Sequence, residues 1–166
     1  MRKFIGQCVE VEKLIAKTYR VFAESEHNDE ELVGVWEQLA KDEDEHAMQL
    51  DFATRMPIDA AFSGVSESTP DPVEMYAVVN GIHQKARDGY HDSMEMLDDA
   101  LTLENGLHGI HATQALLFKE PSLLKLFQSL ADSEEKHVAK LHNYLYKFKR
   151  VEQTSQFRNT IPASDQ

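Results

Sequence analysis

Six side chains stand out by type and spacing: Glu12, Glu43, His46, Glu104, Glu134 and His137. Glu43 and His46 form a Glu-x-x-His pair, and Glu134 and His137 form a second. On a helix, residues three apart point to the same side, with Cβ atoms about 5–6 Å apart. Two such pairs, with one further Glu on each of two other helices, place four carboxylates and two imidazoles around one level of a bundle axis, where they can hold two metal ions. Charge favours that outcome, because four buried carboxylates cannot all stay ionised in a dry core without strong compensation. Two divalent cations offset their four negative charges. An oxygen-rich set with one imidazole per ion suits iron or manganese, whereas a closed tetrahedral zinc site draws on more Cys or His. Two iron ions are therefore expected, with manganese or zinc as substitutes.

These residues require four helices to position them. Apolar residues recur at alternating spacings of three and four, the pattern of helices packed in a bundle, in four segments. The first seam runs Ile5, Cys8, Glu12, Ile15, Tyr19, Phe22, and the second Leu32, Trp36, Leu39, Glu43, His46, Leu50, Ala53. The third runs Met94, Leu97, Leu101, Glu104, His108, His111, Ala115, Phe118. The fourth runs Leu123, Phe127, Leu130, Glu134, His137, Leu141, Tyr144, Phe148. In each, the polar interruption falls in mid-seam, where it is expected to be buried. Glu10, Glu45 and Glu135 lie off the stripes and read as solvated surface groups.

The chain also repeats itself. Glu43 follows Glu12 by 31 residues and Glu134 follows Glu104 by 30, each opening a Glu-x-x-His pair. The competing explanation is a buried polar network that only sets the register of the bundle. A single Glu-x-x-His would fit that explanation, since the tetrapeptide is common on helix surfaces. Six residues matched in type, order and spacing across two halves favour metal.

Short connections at Ser25 to Asp29 and Lys119 to Ser122 make each half an antiparallel helical hairpin. Asn28 or Asp29 is placed to cap the second helix, and Pro121 suits a first helical turn. Between the hairpins, Met56 to Pro70 reads as a loop. Asp71-Pro72 then opens a shorter helix to about Arg87, weakened by Asn80-Gly81. The expected fold is all-α: a four-helix bundle in residues 1–150, its hairpins joined by a long crossover with a short extra helix. Residues 151–166 read as a polar C-terminal tail, with Phe157 and Ile161 the only hint of a docking arm.

Composition excludes other classes. A formal charge of −12 disfavours nucleic acid, whose phosphates call for a basic surface. Most of the acid reads as solvated helix faces. No run of about 18 apolar residues marks a membrane span, and the N-terminus lacks the apolar core of a signal peptide. The single cysteine, Cys8, supplies neither a disulfide within the chain nor a Cys-based zinc site. It reads as a small buried residue near Glu12. A soluble cytoplasmic protein is expected.

The elements Glu12-x6-Tyr19, Glu43-x-x-His46, Glu104 and Glu134-x-x-His137, spread over residues 4 to 148, resemble the ferritin-like di-iron carboxylate superfamily, and within it the rubrerythrin type. The resemblance implies that Glu43 and Glu134 bridge the two metals. Glu12 and His46 would complete one, and Glu104 and His137 the other. It places Tyr19 beside the ligands, although a tyrosine at this seam position also suits ordinary packing between helices. It further implies reduction of hydrogen peroxide or oxygen at a diferrous centre. The alternatives are ferritin-like oxidation and storage of ferrous iron, or metal binding without catalysis. Three departures stand out. One cysteine excludes the four-cysteine rubredoxin domain from this chain, so a separate electron donor such as a rubredoxin is expected. Leu107 stands where the third helix of rubrerythrins carries a further carboxylate, and His111 stands where a second Glu-x6-Tyr would end. His108 reads equally as an additional ligand, as a proton donor to peroxide, or as a hydrogen-bonded core histidine. For His111 the core role is preferred. Gly106 and Gly109 flank His108 and point to close helix approach or a local bulge. A homodimer is the expected assembly.

Overall fold

Aspartates and one glutamate start every helix but the first. The computed structural model describes residues 1–27, 29–56, 71–89 and 92–159, of which 151–159 as backbone course alone. Helix α1 spans Arg2–Ser25 and α2 spans Glu30–Arg55. The Asp29 carboxylate caps α2, accepting from the Leu32 N–H at 3.0 Å. Helix α3 covers Pro72–Asp88, with Pro72 in the first turn and the Asp71 side chain accepting from Val73 N–H at 2.9 Å. Asp92 does the same for α4, Ser93–Leu117, through Glu95 N–H. Glu120 serves α5, Pro121–Asn159, through Leu123 N–H at 2.8 Å. Caps of this kind stabilise a helix by about 1 kcal/mol each.

The molecule is all-helical, and its first and last helix pairs are the two most extensive packings. In the first pair, Tyr19 stacks on Trp36 and Phe22 meets the Trp36 ring edge-on. In the second, Phe118 tilts against Phe127. The two hairpins then meet face to face. Ser93 of α4 donates to Glu26 beyond the end of α1, and Lys147 of α5 pairs with Glu31 of α2 at 3.3 Å. Ile5, Ile15, Leu39, Leu50, Leu97, Leu103, Phe127 and Leu141 are among the fully buried residues between them.

Helix α3 carries the chain from one hairpin to the other, so helix rather than loop spans most of the bundle. Its 17 residues rise about 25 Å at 1.5 Å per residue. It lies along α1 and against α4. His83 Nδ1 is 3.1 Å from Thr18 Oγ1, and Lys85 pairs with Asp99 at 2.8 Å. Asn80-Gly81 does not interrupt it. It ends on Gly89 at φ +100°, a backbone that favours glycine. Met75 covers Gly106, where a Cβ would lie 2.6 Å from the Met75 sulfur. Gly106 thus admits α3. No bulge is needed to explain it, and α4 is α-helical throughout Ser93–Leu117.

One sequence expectation changes. The seam fades after Arg150, yet α5 continues to Asn159. The expected loop residues 57–70, the Phe157 side chain and Ile161 lie outside the described residues. Among the described residues, no helix is long and apolar enough to cross a membrane.

Candidate metal centre

All six residues singled out by spacing meet at mid-bundle. Helix α1 supplies Glu12, α2 supplies Glu43 and His46, α4 supplies Glu104, and α5 supplies Glu134 and His137. The four carboxylates are 0 % exposed and the two histidines 6 and 7 %. They form two overlapping groups, each with ligand atoms within 4.8 Å of one another: Glu12, Glu43, His46, Glu134, and Glu43, Glu104, Glu134, His137. Glu43 and Glu134 belong to both. Glu10, Glu45 and Glu135 are exposed.

Each imidazole turns Nδ1 inward. His46 Nδ1 is 2.9 Å from Glu43 Oε2 and 3.1 Å from Glu134 Oε1. His137 Nδ1 is 3.1, 3.2 and 3.3 Å from oxygens of Glu104, Glu43 and Glu134. The outer nitrogens are held across the α2–α5 contact. His46 Nε2 lies 3.1 Å from Ser133 Oγ, and His137 Nε2 lies 3.4 Å from Asp42 Oδ2. Such partners fix the tautomer and orientation of a metal-binding ring. Each partner is the residue just before the other hairpin's Glu-x-x-His.

Buried carboxylate oxygens are expensive to leave without donors. Both oxygens of Glu12, both of Glu134 and Oε1 of Glu43 have no hydrogen bond. Hard cations satisfy such oxygens, and one imidazole per group matches iron or manganese chemistry. The donor set fits a pair of divalent ions.

Without metal, protons balance the charge. Burial, followed by repulsion from Glu43 and Glu134, raises the Glu12 and Glu104 carboxyls well above their usual range. Burial also acts to raise Glu43 and Glu134, but the nearby rings prevail. His137 and His46 hold Glu43 below the ordinary value, and His111, His137 and His46 hold Glu134 well below it. For His46, burial opposes the charged form, but Glu134 and Glu43 outweigh it and lift the pKa to about 11. His137 is raised further by Glu104, Glu134 and Glu43, again against burial. Without metal, Glu12 and Glu104 thus favour the protonated form, while Glu43 and Glu134 favour the ionised form beside the two rings.

Around the six, the structure distinguishes Tyr19, His108 and His111. The Tyr19 hydroxyl donates a short hydrogen bond to Glu104 Oε1. Burial and then the Glu104 charge raise its pKa well above the usual value, so it stays a donor. His108 is only partly buried and, among the described residues, makes no hydrogen bond or ion pair with the six. Leu107 takes the inward position instead. The seam cannot separate these two from sequence, because steps of three and four are both helical, and α4 is buried against α3 as well as α5. His111, for which a plain core role was expected, is 0 % exposed with Nε2 3.2 Å from Glu12 Oε1 and Nδ1 3.7 Å from Glu134 Oε1. Its signal in the sequence is its offset: it follows Glu104 by seven residues, as Tyr19 follows Glu12. Gln114, three residues on, is also 0 % exposed and its amide has no hydrogen bond. Cys8 is buried, and burial with the nearby Glu12 raises its thiol pKa, which makes it unreactive.

Of the six, only His46 and His137 reach solvent at all. A cleft of about 190 Å³ between α2 and α5 leads to His46, lined by Asp42, Glu45, Gln49, Ser129 and Ser133. No family model, curated protein or solved structure matches this chain.

Proposed function

We propose that this chain is a ferritin-like, rubrerythrin-type di-iron protein that reduces hydrogen peroxide with electrons from a separate donor. The observation that carries the reading is the pair of overlapping buried Glu/His groups sharing Glu43 and Glu134. A lone structural ion needs no shared carboxylates. Two redox ions working together do, since bridging oxygens keep them close.

Two ferrous ions bound there would supply the two electrons that, with two protons, convert hydrogen peroxide to two waters. The protein's part is to position and to insulate. Glu43 and Glu134 would hold both ions, Glu12 with His46 would complete one side, and Glu104 with His137 the other. Asp42 and Ser133 keep the outer ring nitrogens engaged. Tyr19 orients Glu104 through its hydrogen bond. The surrounding Ile15, Trp36, Leu39, Leu107 and Phe127 exclude bulk water and strengthen each electrostatic contact. The α2–α5 cleft gives a small oxidant a path to the imidazole edge. On this reading a separate donor such as a rubredoxin returns the electrons.

Anaerobic loading with ferrous iron, followed by stopped-flow mixing with peroxide and with oxygen in parallel, tests this. Two irons per chain, oxidised much faster by peroxide, are expected. Faster reaction with oxygen and growth of mineral iron would instead assign ferritin-like oxidation and storage. Tight retention of zinc with no redox turnover after iron loading would assign a metal-binding role without catalysis.

A further inference from the structure

We infer that His111 is a seventh ligand, adding a third imidazole to the centre on the side of Glu12. The inference rests on the di-metal reading above.

Position comes first. His111 is fully buried, and its two nitrogens face Glu12 and Glu134 at 3.2 and 3.7 Å. Two atoms bound side by side to one ion, each about 2.1 Å from it, lie roughly 3 Å apart. The separation from Glu12 fits that arrangement.

Hydrogen bonding then separates ligand from buttress. Tyr19 and His111 hold equivalent places in the repeat, and each approaches the other hairpin's carboxylate, Glu104 or Glu12. Tyr19 is satisfied there by donating a hydrogen bond. His111 is not: neither ring nitrogen has hydrogen-bond geometry to any partner, and neither do both oxygens of Glu12 and both of Glu134 beside it. Buried polar atoms that face one another without bonding call for a shared partner. A cation held by Nε2 and by oxygens of Glu12 and Glu134 meets that need for every one of them except Nδ1, which keeps its proton and faces Glu134. The Phe127 ring, 5.6 Å away and nearly perpendicular, limits the tilt of the imidazole.

The consequence is inequality. The ion beside Glu12 draws on Glu12, Glu43, Glu134, His46 and His111, whereas the one beside Glu104 has four residues.

X-ray absorption of the full chain loaded anaerobically with ferrous iron counts imidazole rings directly. Three rings per two irons are expected in the wild type and two in His111→Gln and His111→Tyr. Titration with cobalt(II) should show two separable affinities, the tighter falling roughly tenfold or more in His111→Gln. Two rings per two irons in the wild type would overturn the role of His111 and leave the di-metal reading intact. Fewer than two ions per wild-type chain would overturn that reading, and this one with it. The wild-type ring count decides the matter even if a variant fails to fold.

Discussion

The α1–α2 and α4–α5 hairpins offer the same ligands in different surroundings. Glu12 corresponds to Glu104, Glu43 to Glu134, and His46 to His137. The correspondence extends outward: Tyr19 stacks on Trp36, seven residues before Glu43, and His111 meets Phe127, seven before Glu134. Identity ends at that outer layer. Tyrosine faces histidine, and Asp42 behind His137 faces Ser133 behind His46. On the di-metal reading, ion chemistry constrains both halves alike where oxygens and nitrogens converge, and substitution one layer out can tune each ion separately.

The largest break in this comparison should come from the shared carboxylates. Glu43→Ala or Glu134→Ala is expected to lower metal content from two ions per chain to less than one, measured by elemental analysis. Glu12→Ala and Glu104→Ala should each remove only one ion. Equal losses from all four would deny that Glu43 and Glu134 are shared.

Next in size is pH. Glu12, Glu104, His46 and His137 all hold protons more tightly in the metal-free fold than when unfolded. The folded chain then binds more protons, so its stability falls as pH rises above the unfolded values of about 4.5 for Glu and 6.5 for His. The part due to His46 is fully present below about 6.5 and is lost as pH rises through about 11. Two bound ions displace about four protons, so affinity rises with pH and the thermal stabilisation by metal grows with it. Melting curves with and without metal from pH 6 to 9 are expected to diverge. Parallel curves would show that the four groups are not the proton reservoir.

Smaller effects sharpen the contrast between the halves. Tyr19→Phe removes a buried hydrogen bond to a carboxylate and should weaken the ion beside Glu104 by about tenfold. Asp42→Asn should weaken the same ion by about tenfold through His137. Ser133→Ala, which removes only a neutral partner of His46, should act least and on the other ion. Competition titrations with a chelating dye resolve these steps; equal effects of Asp42→Asn and Ser133→Ala would erase the asymmetry.

Much of this site was legible before any coordinates. Helix periodicity placed Glu12 rather than Glu10 inward, and the repeat selected Glu43 over Glu45 and Glu134 over Glu135. Asp29 and Asp71 marked helix starts for a physical reason that depends only on neighbouring residues. His108 and His111 were not separable in that way. Which of them faces the centre depends on how α4 sits against α1 and α5, a tertiary fact to which α4 contributes no distinct local pattern. The reach of α5 past Arg150 was equally hidden, because no apolar seam marks it in the sequence.

The bridging path of α3 has a consequence for folding kinetics. Each hairpin is built from contacts close in sequence and should form quickly, whereas docking one on the other closes a longer chain. Neither hairpin alone contains a full set for either ion, since Glu134 joins Glu12, Glu43 and His46, and Glu43 joins Glu104, Glu134 and His137. Docking therefore drives four carboxylates together in the last step. With little divalent metal, that step must wait for protons; with metal, the ions act as its nucleus. Refolding should accelerate on adding metal only in its slow phase, while helix formation within the hairpins keeps its rate. Acceleration of both phases alike would place metal binding before the hairpins meet.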